Sequence, residues 1–224
     1  MTQQRHFQDE LDELKSCLVG MAGLAEEQVR KALQALLERN VQLADEVDNM
    51  DTRIDALEVQ VDSMAIRLLA LQQPMARDLR FITMAMKISS EVERVGDHAV
   101  NIAEAVKYMT QAPPFPILPE IEEMVRLATD MLTDALDAFV RADARAAREI
   151  IQRDDRVDEL HENNFRILLT HMMEDPRKIT AGMDLLLVSG NLERIADLAT
   201  NVCEEVIFLV EGATVKHGAD IRAS

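Results

Sequence analysis

The feature that most constrains the fold of this chain is a helical periodicity of apolar residues that covers nearly all of its 224 positions. The interruptions are short, and three of them place a proline, Pro74, Pro119 or Pro176, where the first turn of a helix tolerates one. Helices are predicted at about residues 5–38, 41–72, 75–110, 120–141, 144–173 and 177–211. The sequence therefore predicts an all-α protein with six long helices.

The connection between the third and fourth predicted helices is unlike the others. The segment Thr110–Pro119 contains four prolines, which cannot continue a helix, so we expect a stiff crossing near the middle of the chain. Short loops elsewhere make neighbouring helices antiparallel, and each side of the crossing should form a three-helix bundle. The predicted divisions are a first repeat at 1–112, the crossing at 113–119, a second repeat at 120–212 and a C-terminal tail at 213–224.

The two halves carry matching motifs, which indicates an internal repeat. The pattern E-R-[VI]-x-D-x-A-x-N-[IV]-x-E occurs at 93–104 in the third predicted helix and again at 193–204 in the sixth. The shorter pattern D-x-R-[IV]-D occurs at 51–55 in the second predicted helix and at 154–158 in the fifth. Each half therefore has one acidic motif on its second helix and one on its third.

The carboxylates of each motif stand one helical turn apart, on a face that continues along the helix as apolar residues. They should therefore face a neighbouring helix rather than point freely into water. The four pairs are Asp51 and Asp55, Glu93 and Asp97, Asp154 and Asp158, and Glu193 and Asp197. Packing them together is unfavourable unless a cation joins them, because like charges raise one another's pKa and burial penalises the ionised form.

Two kinds of cation could join these carboxylates. A hard metal ion takes oxygen ligands, and two helices with this spacing can supply four carboxylates. The alternative is a metal-free helical scaffold in which Arg53, Arg94, Arg156 and Arg194, which stand beside the motifs, neutralise them through ion pairs. The residues alone leave both open, together with a third interpretation in which the carboxylates are solvated surface.

Charge and composition exclude several classes of protein. The formal net charge of -17 opposes binding to nucleic acid and to anionic membranes. No segment approaches the ~18 uninterrupted apolar residues of a membrane span, and the polar N-terminus lacks the apolar core of a signal peptide. Cys17 and Cys203 form no disulfide framework. We therefore expect a cytoplasmic protein with no nucleic-acid partner and no direct membrane insertion.

Enzyme signatures are missing from the sequence. A carboxylate-bridged di-iron-type enzyme is the main rival from another class, but its sites need a Glu-x-x-His pair on the bundle helices. No glutamate here is followed three residues later by a histidine in a plausible core position, and His161 is interpreted as structural or solvated. Phosphate-binding glycine loops and hydrolase motifs are also absent. The chain is predicted not to be an enzyme.

The paired motifs at 93–101 and 193–201, those at 51–55 and 154–158, and the proline-rich crossing together resemble the PhoU family, over about residues 5–217. The resemblance implies two three-helix bundles related by pseudo-twofold symmetry, often paired as a homodimer. It also implies multinuclear metal clusters on the acidic motifs, with iron as the first candidate and zinc, manganese or magnesium as alternatives. The implied ligands are Asp51, Asp55, Glu93, Asp97, Asp154, Asp158, Glu193 and Asp197.

The resemblance further implies a role in phosphate homeostasis. Members of this family restrain phosphate uptake and act as negative regulators of the phosphate-starvation response. They do so by linking the phosphate ABC transporter to a sensor histidine kinase. The expected partners are therefore the ATPase of the phosphate ABC transporter and a phosphate sensor histidine kinase, and the expected role is that of an adaptor.

Overall fold

The computed structural model describes residues 2–72, 74–111, 115–215 and 221–222, and most of these are helical. These ranges contain seven α-helices, one 3-10 turn at Pro176–Lys178 and two short antiparallel strands, β1 (Ala213–Thr214) and β2 (Ile221–Arg222). The helices are α1 (Thr2–Glu38), α2 (Val41–Gln72), α3 (Ala76–Met109), α4 (Pro119–Arg141), α5 (Ala144–Ile151), α6 (Asp154–Glu174) and α7 (Ile179–Glu211). The prediction of an all-α fold is confirmed.

Helices α1, α2 and α3 pack against one another as the first three-helix bundle. Leu18, Ile54 and Ile102, one from each helix, are fully buried in the apolar core. Helix α2 begins where the sequence predicts, because the side-chain oxygen of Asn40 accepts hydrogen bonds from the backbone N–H groups of residues 42 and 43. This half therefore has the predicted three-helix architecture.

The second bundle has the predicted three-helix plan, but its middle helix is divided. The single helix predicted at 144–173 is wrong: a turn at Gln152 and Arg153 separates α5 from α6. The backbone N–H of Arg153 bonds to the carbonyl of Ile150, and its guanidinium lies 2.5 Å from a carboxylate oxygen of Asp134 on α4. The turn is too short to interrupt the apolar periodicity, and it leaves Asp154 in the first turn of α6.

The two bundles meet mainly through α3 and α7, the helices that carry the longer motif. Lys87 on α3 lies 3.0 Å from the carboxylate of the buried Glu205 on α7. His98 Nδ1 lies 2.8 Å from the amide oxygen of Asn191. The contact therefore combines apolar packing with polar pairs that join one half to the other.

The proline-rich crossing contacts both bundles, because the Phe115 ring also lies 5.6 Å from the ring of His171 on α6. Phe115 and Leu118 are buried, and the guanidinium of Arg39, beyond the end of α1, donates to the carbonyl of Phe115. Residue 112 of the predicted first repeat, residues 113–114 of the predicted crossing, and residues 216–220 and 223–224 of the predicted tail lie outside the described residues. The residue bounds of the two repeats stay a prediction.

Within the described ranges, no helix combines the length and the apolar character needed to cross a bilayer.

The N-cap of α5 provides a test of the local structure. Asp143 accepts hydrogen bonds from the backbone N–H groups of Arg145 and Ala146, both at 3.0 Å. We expect Asp143→Ala to lower the free energy of unfolding by about 1 kcal/mol, because two backbone donors lose their acceptor. Asp143→Asn, which keeps an acceptor oxygen, is the matched control. Urea titration followed by circular dichroism measures both, and equal stabilities of the two variants would contradict the capping role.

Candidate functional site

In the first half, α2 and α3 bring the predicted carboxylates together. Asp51 and Asp55 lie on α2, and Glu93 and Asp97 lie on α3. The pKa of Glu93 is raised from 4.5 to about 7, first by burial of the carboxyl group and then by nearby negative charges. These charges belong to Asp97, Glu58, Asp55 and Asp51. We call Asp51, Asp55, Glu58, Glu93 and Asp97 the first cluster.

A buried glutamine holds one member of the first cluster in place. The side-chain amide of Gln28 on α1 donates to Asp51 Oδ1 and to the carbonyl of Val47, each at 3.2 Å. Burial still raises the pKa of Asp51, although this hydrogen bond opposes the shift. Gly96 on α3 makes room for the arrangement, because a Cβ atom there would lie 2.8 Å from Gln28 Oε1. A side chain at position 96 would therefore displace the amide end of Gln28, whereas Asp51 and Ile54 on α2 lie at 3.4 Å from such a Cβ atom.

The second half repeats the arrangement on α6 and α7. The pKa of Asp154 is raised from 3.8 to about 7, first by burial and then by neighbouring carboxylates. Those neighbours are Asp158, Asp197, Glu193 and Asp155. Burial also raises the pKa values of Asp158 and Glu193. We call Asp154, Asp158, Glu193 and Asp197 the second cluster, so the structure brings each predicted set of four together within its own half.

The two clusters differ in how far they are neutralised. Arg194 lies 3.5 Å from Glu193 and 3.0 Å from Asp197, so it neutralises part of the second cluster. The charge of His161 lowers the pKa values of Asp158 and Glu193 against the upward effect of burial. Among the residues that the structure describes, no lysine, arginine or histidine forms an ion pair with the first cluster. The first cluster therefore keeps more uncompensated negative charge.

The predicted arginine network forms only in part. Arg94 pairs with Glu91, outside the clusters, and Arg53 has no ion pair in the described part of the chain. Arg156 pairs with Glu123 and Glu159, which are also outside the clusters. Arg194 alone of the four contacts motif carboxylates. Arginine therefore does not neutralise the negative charge of the first cluster, and it neutralises only part of the charge of the second.

The side-chain positions also bear on metal binding. In residues 2–72, 74–111, 115–215 and 221–222, no three His, Cys, Asp or Glu side chains converge closely enough to hold a metal ion. The donors nevertheless suit a hard cation, because they are oxygens and Asp154 Oδ1 is buried with no hydrogen-bond partner among the described atoms. Five of the predicted ligands are half-buried, whereas Asp55, Asp97 and Asp158 are exposed. A cation would relieve the repulsion that raises their pKa values. Binding would need rotation of the carboxylate side chains, and the ligand assignment stays a prediction.

Sequence reasoning missed Glu58 and His161 as neighbours of the clusters. The charge of Glu58 raises the pKa of Glu93, and His161 borders the second cluster while its Nδ1 lies 3.0 Å from the hydroxyl of the buried Ser189. The two residues occupy matching places, since the spacing that relates Asp55 to Asp158 also relates Glu58 to His161. Extending the repeat by one helical turn would have found both.

Comparison with known families decides what the repeat represents. A model of the PhoU domain matches the chain twice, at residues 18–106 and 121–206, and these matches contain both clusters. This chain belongs to the PhoU family. The resemblance that the motifs indicated is confirmed, and the two matched segments correspond to the two bundles.

Curated relatives in the PhoU family match over nearly the whole chain. A protein of Zymomonas mobilis, named phosphate-specific transport system accessory protein PhoU homolog, is 39% identical over 224 residues, covering 97% of this chain and 93% of its own. A relative of the same name from Aquifex aeolicus is 43% identical over 208 residues, covering 93% and 94%. These names describe accessory proteins of a transport system and not enzymes, which supports the prediction of a non-enzyme over a di-iron-type enzyme.

Solved PhoU structures have the same fold. The crystal structure of PhoU from Pseudomonas aeruginosa superposes with a TM-score of 0.90 at 37% identity, covering 92% of this chain and 99% of that one. The phosphate transport system regulatory protein PhoU from Streptococcus pneumoniae superposes with a TM-score of 0.85 at 33% identity, covering 94% and 99%. The prediction of two three-helix bundles of the PhoU type is confirmed.

The clusters predict how the stability of this PhoU-family chain depends on pH. Glu93, with a folded-state pKa of about 7 against 4.5, binds a proton more tightly in the folded state. Without metal, the protonated Glu93 carboxyl group stabilises the folded state. This contribution to the free energy of unfolding is complete below pH 4.5 and is lost as the pH rises towards 7. We expect Glu93→Gln to reduce this pH dependence and to raise the free energy of unfolding at pH 8 by about 1 kcal/mol or less, because water partly screens the group.

The matched control is Asp9→Asn, which removes an exposed carboxyl group on α1. Urea titrations in chelator at pH 5 and pH 8 compare the two variants with the wild type. Equal pH dependence in all three proteins would show that Glu93 titrates as an ordinary surface group.

Proposed function

We propose that this chain is a negative regulator of phosphate uptake and of the phosphate-starvation response. It acts in the cytoplasm as an adaptor between the ATPase of the phosphate ABC transporter and a phosphate sensor histidine kinase. The observation that carries this proposal is the match, over nearly the full length, to accessory proteins of phosphate-specific transport. The proposal extends that role to regulation and to the kinase partner.

The architecture suits an adaptor. Two bundles joined through α3 and α7 present two similar acidic faces in a fixed relation to each other, and the net charge of -17 favours basic partner surfaces. One face can engage the transporter while the other engages the kinase. A homodimer, which is part of the proposal, doubles the number of such faces.

The proposal includes metal on both clusters. Asp51, Asp55, Glu93 and Asp97 are the ligands in the first half, and Asp154, Asp158, Glu193 and Asp197 are the ligands in the second. Bound metal, iron first and zinc, manganese or magnesium as alternatives, supplies positive charge that cross-links α2 to α3 and α6 to α7. The uncompensated charge of the first cluster supports this assignment most strongly.

A metal-free scaffold is the second candidate, and Arg194 favours it in the second half. Its ion pairs with Glu193 and Asp197 already supply a cation there without any metal. In that case the adaptor role remains, and the carboxylates serve as an acidic recognition surface. The two candidates differ in metal content alone.

Metal content is measured on protein purified without chelator. We expect bound metal by mass spectrometry, partial loss of it in Glu93→Gln/Asp97→Asn and in Glu193→Gln/Asp197→Asn, and no loss in the control Asp9→Asn. Free metal at ~100 times its dissociation constant should stabilise the apo protein by about 2.7 kcal/mol. No bound metal, and no thermal stabilisation by any of the four ions, would favour the scaffold.

The adaptor role is tested by a pull-down of the tagged protein from phosphate-replete cells, followed by mass spectrometry. We expect the wild type to recover both the transporter ATPase and a sensor kinase. A variant with Glu93→Ala, Asp97→Ala, Glu193→Ala and Asp197→Ala should recover less of both, because each half loses the acidic face. Asp9→Asn serves as the control, and recovery of neither partner by the wild type would contradict the proposal.

A further inference from the structure

The second bundle exposes an apolar surface where α6 leads into α7. Three large apolar residues follow one another at four-residue spacing on α6, and three more do so on α7, so each set lies on one side of its helix. The six side chains are between 41% and 78% exposed. They are Phe165, Leu169 and Met173 on α6, and Ile179, Met183 and Leu187 on α7, and we call them the α6–α7 apolar face.

Three residues of this face, one from α6 and two from α7, share one surface depression. Phe165, Met183 and Leu187 line one shallow, open depression. The two helices approach closely beneath it, because a Cβ atom at Gly182 would lie 2.8 Å from Cγ of Met172. Phe165 on α6 therefore stands beside Met183 and Leu187 on α7, and these three side chains offer a groove between the two helices.

The internal repeat serves as a control for this surface. At the matching positions of the first bundle, Phe165 corresponds to Asp62, Met183 to Thr83 and Leu187 to Lys87. The other three matching positions hold the apolar residues Ile66, Ala70 and Leu79. The two bundles therefore differ at Phe165, Met183 and Leu187, where the same fold accepts polar residues and packing does not require exposed apolar ones. Exposed apolar patches of this kind mark interaction sites.

The charges around the groove indicate what it binds. At one end the depression reaches Glu193, and the basic residues among those that line it are Arg194 and His161. The second cluster continues beyond that end along α6 and α7 and adds Asp154, Asp158 and Asp197. The surface is therefore apolar at the α6–α7 turn and acidic at the other end.

We propose that the α6–α7 apolar face docks an amphipathic helix of a partner protein whose apolar stripe ends in lysine or arginine residues. Such a helix lies in the groove with its apolar side chains on Phe165, Met183 and Leu187, and its basic end meets the carboxylates of the second cluster in the metal-free protein. A second copy of this chain would bring the same acidic end and would not match it. The inference rests on the proposed adaptor function and assigns one partner to the second bundle.

The test uses synthetic helical peptides of about 18 residues, which span about 27 Å as a helix. One carries a leucine stripe with lysines at one end, and its partner carries glutamates in place of the lysines. Fluorescence anisotropy measures binding to the wild type and to Phe165→Asp/Met183→Thr, which installs the residues of the first bundle. The matched control is Val59→Asp/Thr83→Ser, which adds the same charge at an exposed apolar site of the first bundle.

We expect the lysine peptide to bind the wild type and the control with equal affinity. It should bind Phe165→Asp/Met183→Thr at least tenfold more weakly, which corresponds to a loss of about 1.4 kcal/mol of binding free energy. Because Phe165→Asp adds a negative charge, purely electrostatic binding would strengthen instead. Circular dichroism checks that the variants fold, and the single variant Leu169→Ser should weaken binding in the same direction. The glutamate peptide should bind at least tenfold more weakly than the lysine peptide.

Three outcomes overturn the proposal. If the lysine peptide binds the wild type and Phe165→Asp/Met183→Thr with equal affinity, it does not bind in the groove. If the wild type binds both peptides with equal affinity, the acidic end does not select a basic partner. If Phe165→Asp/Met183→Thr converts a dimer into a monomer without changing peptide affinity, a second copy covers this face. A pull-down by the wild type that recovers neither partner defeats the adaptor role separately, while the peptide measurements still decide the groove.

Discussion

The packing of α3 against α7 is the contact on which the rest of the structure depends. Each of these helices already contacts the other helices of its own bundle, and each then uses a further side to meet the other bundle. Ala99 and Ala103 on α3, and Ala196 and Ala199 on α7, are buried, and their small side chains suit helices that are surrounded by neighbours. The motif carboxylates are left on the remaining side, at the edge of the core, where they are neither fully solvated nor fully buried.

That position explains the electrostatics of both clusters. A half-buried carboxylate loses part of its hydration, and a second helix one packing distance away brings more carboxylates of the same sign. The first cluster has no compensating ion pair among the described residues, whereas Arg194 and His161 offset part of the charge in the second. Two nearly identical motifs thus produce sites of different charge, because the residues around them have diverged.

The same divergence separates the outer surfaces of the two bundles. Where the first bundle has Asp62 and Thr83, the second has Phe165 and Met183 at exposed positions. A repeat that kept its core and its carboxylates, and changed its surface, fits a protein whose halves meet different partners. The hydrogen bonds of Ser189 with Asn164 and His161 are a further difference, since the first bundle has Val61 and Glu58 where the second has Asn164 and His161.

The sequence by itself determined the helices, the repeat and the identity of the paired carboxylates. Prolines and Asn40 mark helix boundaries through local chemistry, and the motif spacing places Glu93 and Asp97 on one side of one helix whatever lies opposite. Tertiary structure alone decided the turn before Asp154, the pairing of Arg156 with Glu123 and the exposure of Phe165. The physical reason is that periodicity gives the direction of a side chain about its own helix axis, whereas its neighbours depend on how helices distant in sequence pack together.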